Sequence, residues 1–188
     1  MLKKIIILSS GNGSNAEEII RYFQNSSNVT VSYVISNKSS AAVFGRARSF
    51  NVPCSWFDKS FFKSSEIVSY LSDLKPDLIV LAGFLLKIPQ KLVQVFPNKI
   101  INIHPALLPK YGGKGMYGSY VHEAVKKSGD TQTGITIHYV NENYDEGEII
   151  FQTQVEIDSH DDPNSIAKKV HKLEHMYYPI VIDQILNK

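Results

Sequence analysis

Four short apolar runs, Ile5 to Leu8, Val29 to Ile35, Asp77 to Ala82 and Ile100 to Ile103, alternate with stretches of helical spacing, and that alternation leaves few folds open. Runs this short and this continuously apolar suit strands buried on both faces; a strand with one wet face would alternate instead. Between and after them, Ala16 to Phe23, Ala41 to Phe50, Ser64 to Leu74 and Lys91 to Phe96 read as helices, with Ile67, Tyr70, Leu71 and Leu74 on one face of the third. Strands alternating with helices predict an α/β fold: a mostly parallel central sheet, right-handed crossovers and helices on both faces. Function in such a sheet belongs at the C-terminal ends of the strands.

The second half of the chain has a different rhythm. Gly134 to Val140 alternates like a half-buried strand, and Glu148 to Val155 follows after a short loop, which predicts an antiparallel hairpin at the sheet's edge. Pro163 to Leu186 reads as a long closing helix, starting at Asp162 or Pro163 and marked on one face by Ile166, Val170, Leu173 and Tyr177. Pro179 is expected to kink or divide it. No repeat, low-complexity segment or linker interrupts the 188 residues, so one domain spanning 1–188 is expected.

Charge and cysteine usage narrow the class of partner. Twenty basic and 18 acidic residues give a net charge of +2, spread along the chain without the basic stripe of a nucleic-acid binder, so small-molecule partners are expected. Cys54 is the single cysteine and cannot form an internal disulfide. The start, Met1-Leu2-Lys3-Lys4, leads into only four apolar residues, and no run approaches the ~18 of a membrane span. A cytoplasmic location follows as the expectation. Cys54, Trp56 and most aromatics read as core residues.

Three constellations carry chemistry. The loop Gly11-Asn12-Gly13-Ser14-Asn15 lies between a strand and a helix, where backbone N–H groups and the positive helix end offer a seat for a phosphate. It lacks the Walker lysine and the third glycine of the dinucleotide fingerprint, so it suits a monophosphate; a tight turn with a helix cap would look the same. The second is Asn102-Ile103-His104-Pro105. Asn102 and His104, two apart on a strand, point to one side, where an amide N–H and an imidazole can serve a developing oxyanion or move a proton. The third is Asn141-Glu142-Asn143-Tyr144-Asp145-Glu146-Gly147, the loop of the late hairpin. Asp145 could orient His104, but spacing alone does not select it over Glu142 or Glu146.

Taken together, LSSGNGSN, PDLIVLAGF (Pro76 to Phe84), NIHPALLPKY (Asn102 to Tyr111), GITIHYV (Gly134 to Val140), DEG (Asp145 to Gly147) and LEHMYYP (Leu173 to Pro179) resemble the glycinamide ribonucleotide formyltransferase family. The resemblance runs from Ile5 to about Ile182. It implies a Rossmann-like formyltransferase fold and transfer of a formyl group from 10-formyltetrahydrofolate, a co-substrate, to the amine of glycinamide ribonucleotide in purine biosynthesis, with no metal. The implied roles are phosphate and ribose binding by Gly11, Asn12, Gly13, Ser14, Asn15, Glu174 and His171, and folate binding along Leu85, Leu86, Lys87, Ile88 and Asn141, Glu142, Asn143, Tyr144. Asn102 and His104 would stabilise the oxyanion, Asp145 would hold His104 protonated and relay a proton, and His138 would support them. His171 falls where the family often has Lys or Gln.

Ala106 stands where many relatives have Ser, Leu86-Lys87 departs from a common Met-Arg-Ile pattern, and Gly112 to Gly118 is longer and richer in glycine than usual, with Lys114 a candidate for an anionic group. The alternatives are a formyltetrahydrofolate deformylase and a catalytically silent nucleotide-binding protein. Length and the phosphate loop argue against the first, and the joint presence of Asn102, His104 and Asp145 argues against the second. A monomer or weak homodimer is expected.

Overall fold

The computed structural model describes residues 2–187. Its centre is a seven-stranded sheet in the order β3-β2-β1-β4-β5-β6-β7. The parallel part comprises β1 (Lys3–Leu8), β2 (Val29–Ser36), β3 (Cys54–Trp56), β4 (Leu78–Leu81) and β5 (Ile100–His104). The antiparallel hairpin of β6 (Gln132–Tyr139) and β7 (Ile149–Glu156) extends the sheet from β5 to the edge, as the alternating pattern predicts. The central strands are buried on both faces: Ile5 to Leu8 and Leu78 to Leu81 are all core, so their near-continuous apolar runs are what two-sided burial requires.

Two separate apolar clusters cover the two faces. One joins α1 (Ser14–Phe23), α2 (Val43–Ser49) and α7 (Pro163–Leu186) to the Ile5, Val80 and Ile101 face; the other joins α4 (Glu66–Asp73) and α5 (Gln90–Val95) to the Ile6, Ile79 and Ile100 face. Three elements were not expected: the short strand β3, the helix α3 (Lys59–Lys63), and α6 (Ser119–Ser128), whose small buried stripe of Val121 and Val125 packs on Ala106.

Two expectations need correction. Trp56 is not a core residue: it sits on the edge strand and is 52% exposed, because β3 has a sheet partner on one side only. Cys54, beside it, is half-buried. Pro179 does not divide α7, which runs unbroken from Pro163 to Leu186. Tertiary anchoring overrides the lost backbone bond: Pro179 is buried, and the buried Tyr178 donates its hydroxyl to the Leu81 carbonyl at 3.0 Å. The same contact holds α7 against the C-terminal ends of the central strands, where its inner face meets the cleft.

Candidate active site

A cleft of about 600 Å3 opens at the C-terminal ends of β1, β4 and β5, where doubly wound sheets place their ligands. Its walls draw together segments far apart in sequence: the loop from Gly11 to Asn15, the lip from Leu85 to Ile88, Asn102 and His104 of β5, His138 of β6, the hairpin loop around Asp145, and Glu174 and His171 of α7. Of the expected site residues, Glu142 alone lies off the cleft; it is exposed and accepts a hydrogen bond from Gln90 at 2.7 Å.

The loop before α1 is shaped by one glycine. Gly13 has φ +77°, and a Cβ there would stand 2.4 Å from Val43 Cγ2 and 2.8 Å from its Cα, so a side chain at this position would displace α2. Gly13 to Val would therefore break the loop whether or not a phosphate binds there. No side chain caps α1, whose first residues line the cleft. Arg46 fastens the loop from outside, donating from Nε to the Asn12 carbonyl at 2.9 Å and pairing with Glu17. At the cleft's inner wall the Asn15 amide donates to Glu174 Oε2 at 2.9 Å, and His171 Nδ1 lies 2.9 Å from the same oxygen.

At the opposite end, β5 and β6 bring four polar groups together. His138 Nδ1 donates to the Tyr139 carbonyl at 2.8 Å; its Nε2 is therefore the acceptor for the Asn102 amide at 3.2 Å. His104 Nε2 donates to the Tyr111 carbonyl at 2.7 Å, which turns Nδ1 toward Asp145 Oδ2 at 3.6 Å. Asp145 Oδ1 lies 3.7 Å from His138 Nε2, and Oδ2 accepts from the Gly113 N–H at 2.9 Å. Asp145 adopts φ +56°, and the hairpin loop it belongs to closes tightly: a Cβ on Gly147 would fall 1.6 Å from the Tyr139 carbonyl oxygen. Asp145 is thus the carboxylate that reaches the imidazoles, while Glu142 bonds Gln90 and Glu146 accepts from Asn143.

Comparison with known proteins places the chain. The "Formyl transferase" family profile matches residues 3–182. The chain belongs to the formyl transferase family. It is 38% identical over 98% of its length to the phosphoribosylglycinamide formyltransferase of Bacillus subtilis, covering 95% of that protein. It is 42% identical to the chloroplastic phosphoribosylglycinamide formyltransferase of Arabidopsis thaliana, of whose length it spans 65%. The solved phosphoribosylglycinamide formyltransferase of Anaplasma phagocytophilum superimposes with a TM-score of 0.90 at 34% identity, covering all of this chain and 88% of that one. The Rossmann-like formyltransferase fold expected from sequence is the one observed.

Within this formyl transferase cleft, burial and partners set the protonation of each group. Burial pushes the His104 imidazole below its ordinary 6.5; Asp145 and the Tyr111 carbonyl act upward, but burial prevails. The expectation that Asp145 keeps His104 protonated is therefore corrected: a ring with only 4% of its side chain exposed loses more from desolvating its cation than one carboxylate at 3.6 Å returns. Burial also acts to raise Asp145, yet the polar groups around it, the His138 and His104 rings and the Gly113 N–H that donates at 2.9 Å, together hold its carboxyl below the usual 3.8. An ionised carboxylate thus faces the unprotonated Nδ1 of His104, an arrangement that gains from receiving a proton.

The folate lip fits an apolar, flat ligand. Ile88 is buried beneath it, Leu85 is 46% exposed, and Phe84, Leu86 and Val140 pack on the core behind. The Leu85 N–H is taken by Ser10 Oγ at 2.9 Å, and Lys87 Nζ lies 5.4 Å from the centre of the Tyr144 ring, so a cation–aromatic contact spans the two lips. Lys114 is exposed and does not line the cleft. Sequence reasoning missed His122: on the unexpected helix α6, it is buried in the wall beside His171. Recognising α6 from the spacing of Val121, His122 and Val125 would have found it.

Proposed function

We propose that this protein transfers the formyl group of 10-formyltetrahydrofolate to the amine of glycinamide ribonucleotide, the reaction of purine biosynthesis for which its relatives are named. The observation that carries the reading is the convergence of Asn102, His104, His138 and Asp145 in one cleft with an uncapped helix N-terminus and an apolar lip. The ribonucleotide phosphate takes the N–H groups of Gly11 to Asn15, where the helix dipole favours an anion, and Glu174 faces the sugar. The folate lies along Leu85 to Ile88 and the face of the loop formed by Asn141, Asn143, Tyr144 and Asp145. It supplies the activated formyl carbon.

The chain's own groups then have distinct tasks. Asn102 has one amide hydrogen committed to His138 and a second for the formyl oxygen as negative charge develops there, a contact worth about a hundred- to a thousand-fold in rate. His104 and Asp145 act as one proton acceptor: the proton released by the attacking amine moves to Nδ1, is held against the carboxylate, and passes on to the departing folate nitrogen. The protonated ring then stabilises the charged oxygen through its positive charge, its two N–H groups remaining on Tyr111 and Asp145. Attack is direct, so no covalent enzyme intermediate forms.

The near-balanced charge supports small-molecule partners and no nucleic acid. Among the described residues no helix is long and apolar enough to cross a membrane. The reading extends to one catalytic unit over 1–188, cytoplasmic, working without a metal, as a monomer or weak homodimer. The test is folate release followed by absorbance on mixing with 10-formyltetrahydrofolate. Release that requires glycinamide ribonucleotide supports the transferase; release without it makes the protein a deformylase, and none with either makes it a silent binder.

A further inference from the structure

Three helices contribute to the wall of the cleft: α1 contributes Asn15, α7 contributes His171 and Glu174, and α6 contributes His122. The first three are bonded to one another through Glu174 Oε2. His122 stands apart from that chain. Its ring lies edge to face with His171, centroids 6.4 Å apart at 70°, and only 4% of the residue is exposed, yet its Nδ1 is buried without a hydrogen-bond partner. Asn15 Oδ1, on the same wall, is likewise buried and unpartnered. Two orphaned polar atoms on residues that line one cleft are uncommon in a native protein and point to a ligand that completes them.

We infer that His122 is a specificity-determining residue for the ribose of the ribonucleotide, its imidazole hydrogen-bonding a sugar hydroxyl beside Glu174. The inference rests on the reading that this cleft binds glycinamide ribonucleotide. The choice of a hydroxyl over the phosphate follows from charge. Glu174 is a buried carboxylate, so its neighbourhood disfavours a second anion, while the uncapped N–H groups of α1 offer the phosphate a better seat. His122 is also suited to a neutral partner: burial, then the neighbouring His171, push it toward the uncharged form against the pull of Glu174. An uncharged imidazole offers one donor and one acceptor, as a hydroxyl does.

The test compares glycinamide ribonucleotide with its 2′-deoxy and 3′-deoxy forms in the native protein and in His122→Phe, which keeps a flat ring without its nitrogens. The expected result is a KM for the ribonucleotide about tenfold higher in the variant, the equivalent of one hydrogen bond, with one deoxy form no longer discriminated. KM rising equally for all three substrates, or not at all, overturns the assignment. His122→Leu carries the same comparison should the Phe variant fail to fold, and His122→Gln, which restores a donor and an acceptor, is expected to recover discrimination. Native protein that transfers no formyl group to glycinamide ribonucleotide sinks the underlying reading instead, so the two failures are distinct.

Discussion

The two ends of the cleft are built from the same unit, a carboxylate against an imidazole, and they behave in opposite ways. At one end Asp145 faces His104 at 3.6 Å; at the other Glu174 meets His171 at 2.9 Å. The His104 side chain is 4% exposed and its pKa is pushed down by burial, whereas the His171 side chain is 54% exposed and its pKa is raised, chiefly by the hydrogen bond to Glu174. Burial lowers the one histidine and a short hydrogen bond to a carboxylate raises the other. An exposed imidazole whose cation is favoured suits binding; a dry imidazole beside an ionised carboxylate is poised to accept a proton and give it up. One cleft thereby holds a binding pair and a reacting pair made of the same side chains.

The comparison breaks most decisively at Asp145. Asp145→Asn is expected to lower kcat by about a thousandfold, since general acid–base groups contribute about 10²–10⁴, and to keep the fold because Asn tolerates the left-handed backbone at φ +56°. Near-normal single-turnover rates in that variant would remove the reacting pair from the mechanism. Asn102→Ala should cost about a hundredfold in kcat, with KM for folate little changed. A loss confined to KM would move Asn102 from the developing oxyanion to substrate binding. At the other end, Glu174→Gln should act on binding, raising KM for the ribonucleotide about tenfold by weakening the wall that Asn15 and His171 share. A fall in kcat with KM intact would erase the division between the two ends.

A subtler test is thermal unfolding followed from about pH 5 to 8. The folded pKa of His104 lies below the ordinary 6.5, so as pH falls past 6.5 the unfolded chain binds the proton first and stability is lost; His104→Gln should remove that loss. The folded pKa of His171 lies above 6.5, so its contribution is fully present below 6.5 and lost as pH rises through the folded value; His171→Gln should lower the midpoint only on the acid side. Slopes of the same sign in the two variants would show that exposure does not separate them. The smallest effect belongs to Lys114→Ala. That side chain is exposed and off the cleft, so both KM values should stay within about twofold.

Much of this architecture was legible because it rests on local patterns. The runs Ile5 to Leu8 and Leu78 to Leu81 could only be two-sided strands, the alternation of Gly134 to Val140 announced an edge hairpin, and α7 begins at Pro163 behind an Asp162 cap as its sequence signals require. The elements that escaped notice are those with weak periodicity. The three residues of β3 owe their conformation to pairing with Val34 to Ser36, and α6 buries only Val121, His122 and Val125. Pro179 misled for a related reason: a local rule for breaking helices lost to the burial of Tyr178 and its bond to β4.

The same divide runs through the site. Residue types and their order, Gly13 before a helix, Asn102 and His104 two apart on a strand, an acidic loop closed by Gly147, are properties of the chain, and with them come the fold and the chemistry the cleft can attempt. Which carboxylate reaches the imidazoles, which ring nitrogen faces it, and in which direction each histidine's pKa moves were settled by folding. Those outcomes depend on distances between segments dozens of residues apart and on how much water each group keeps, and neither quantity exists until the sheet is assembled and α7 has closed over it.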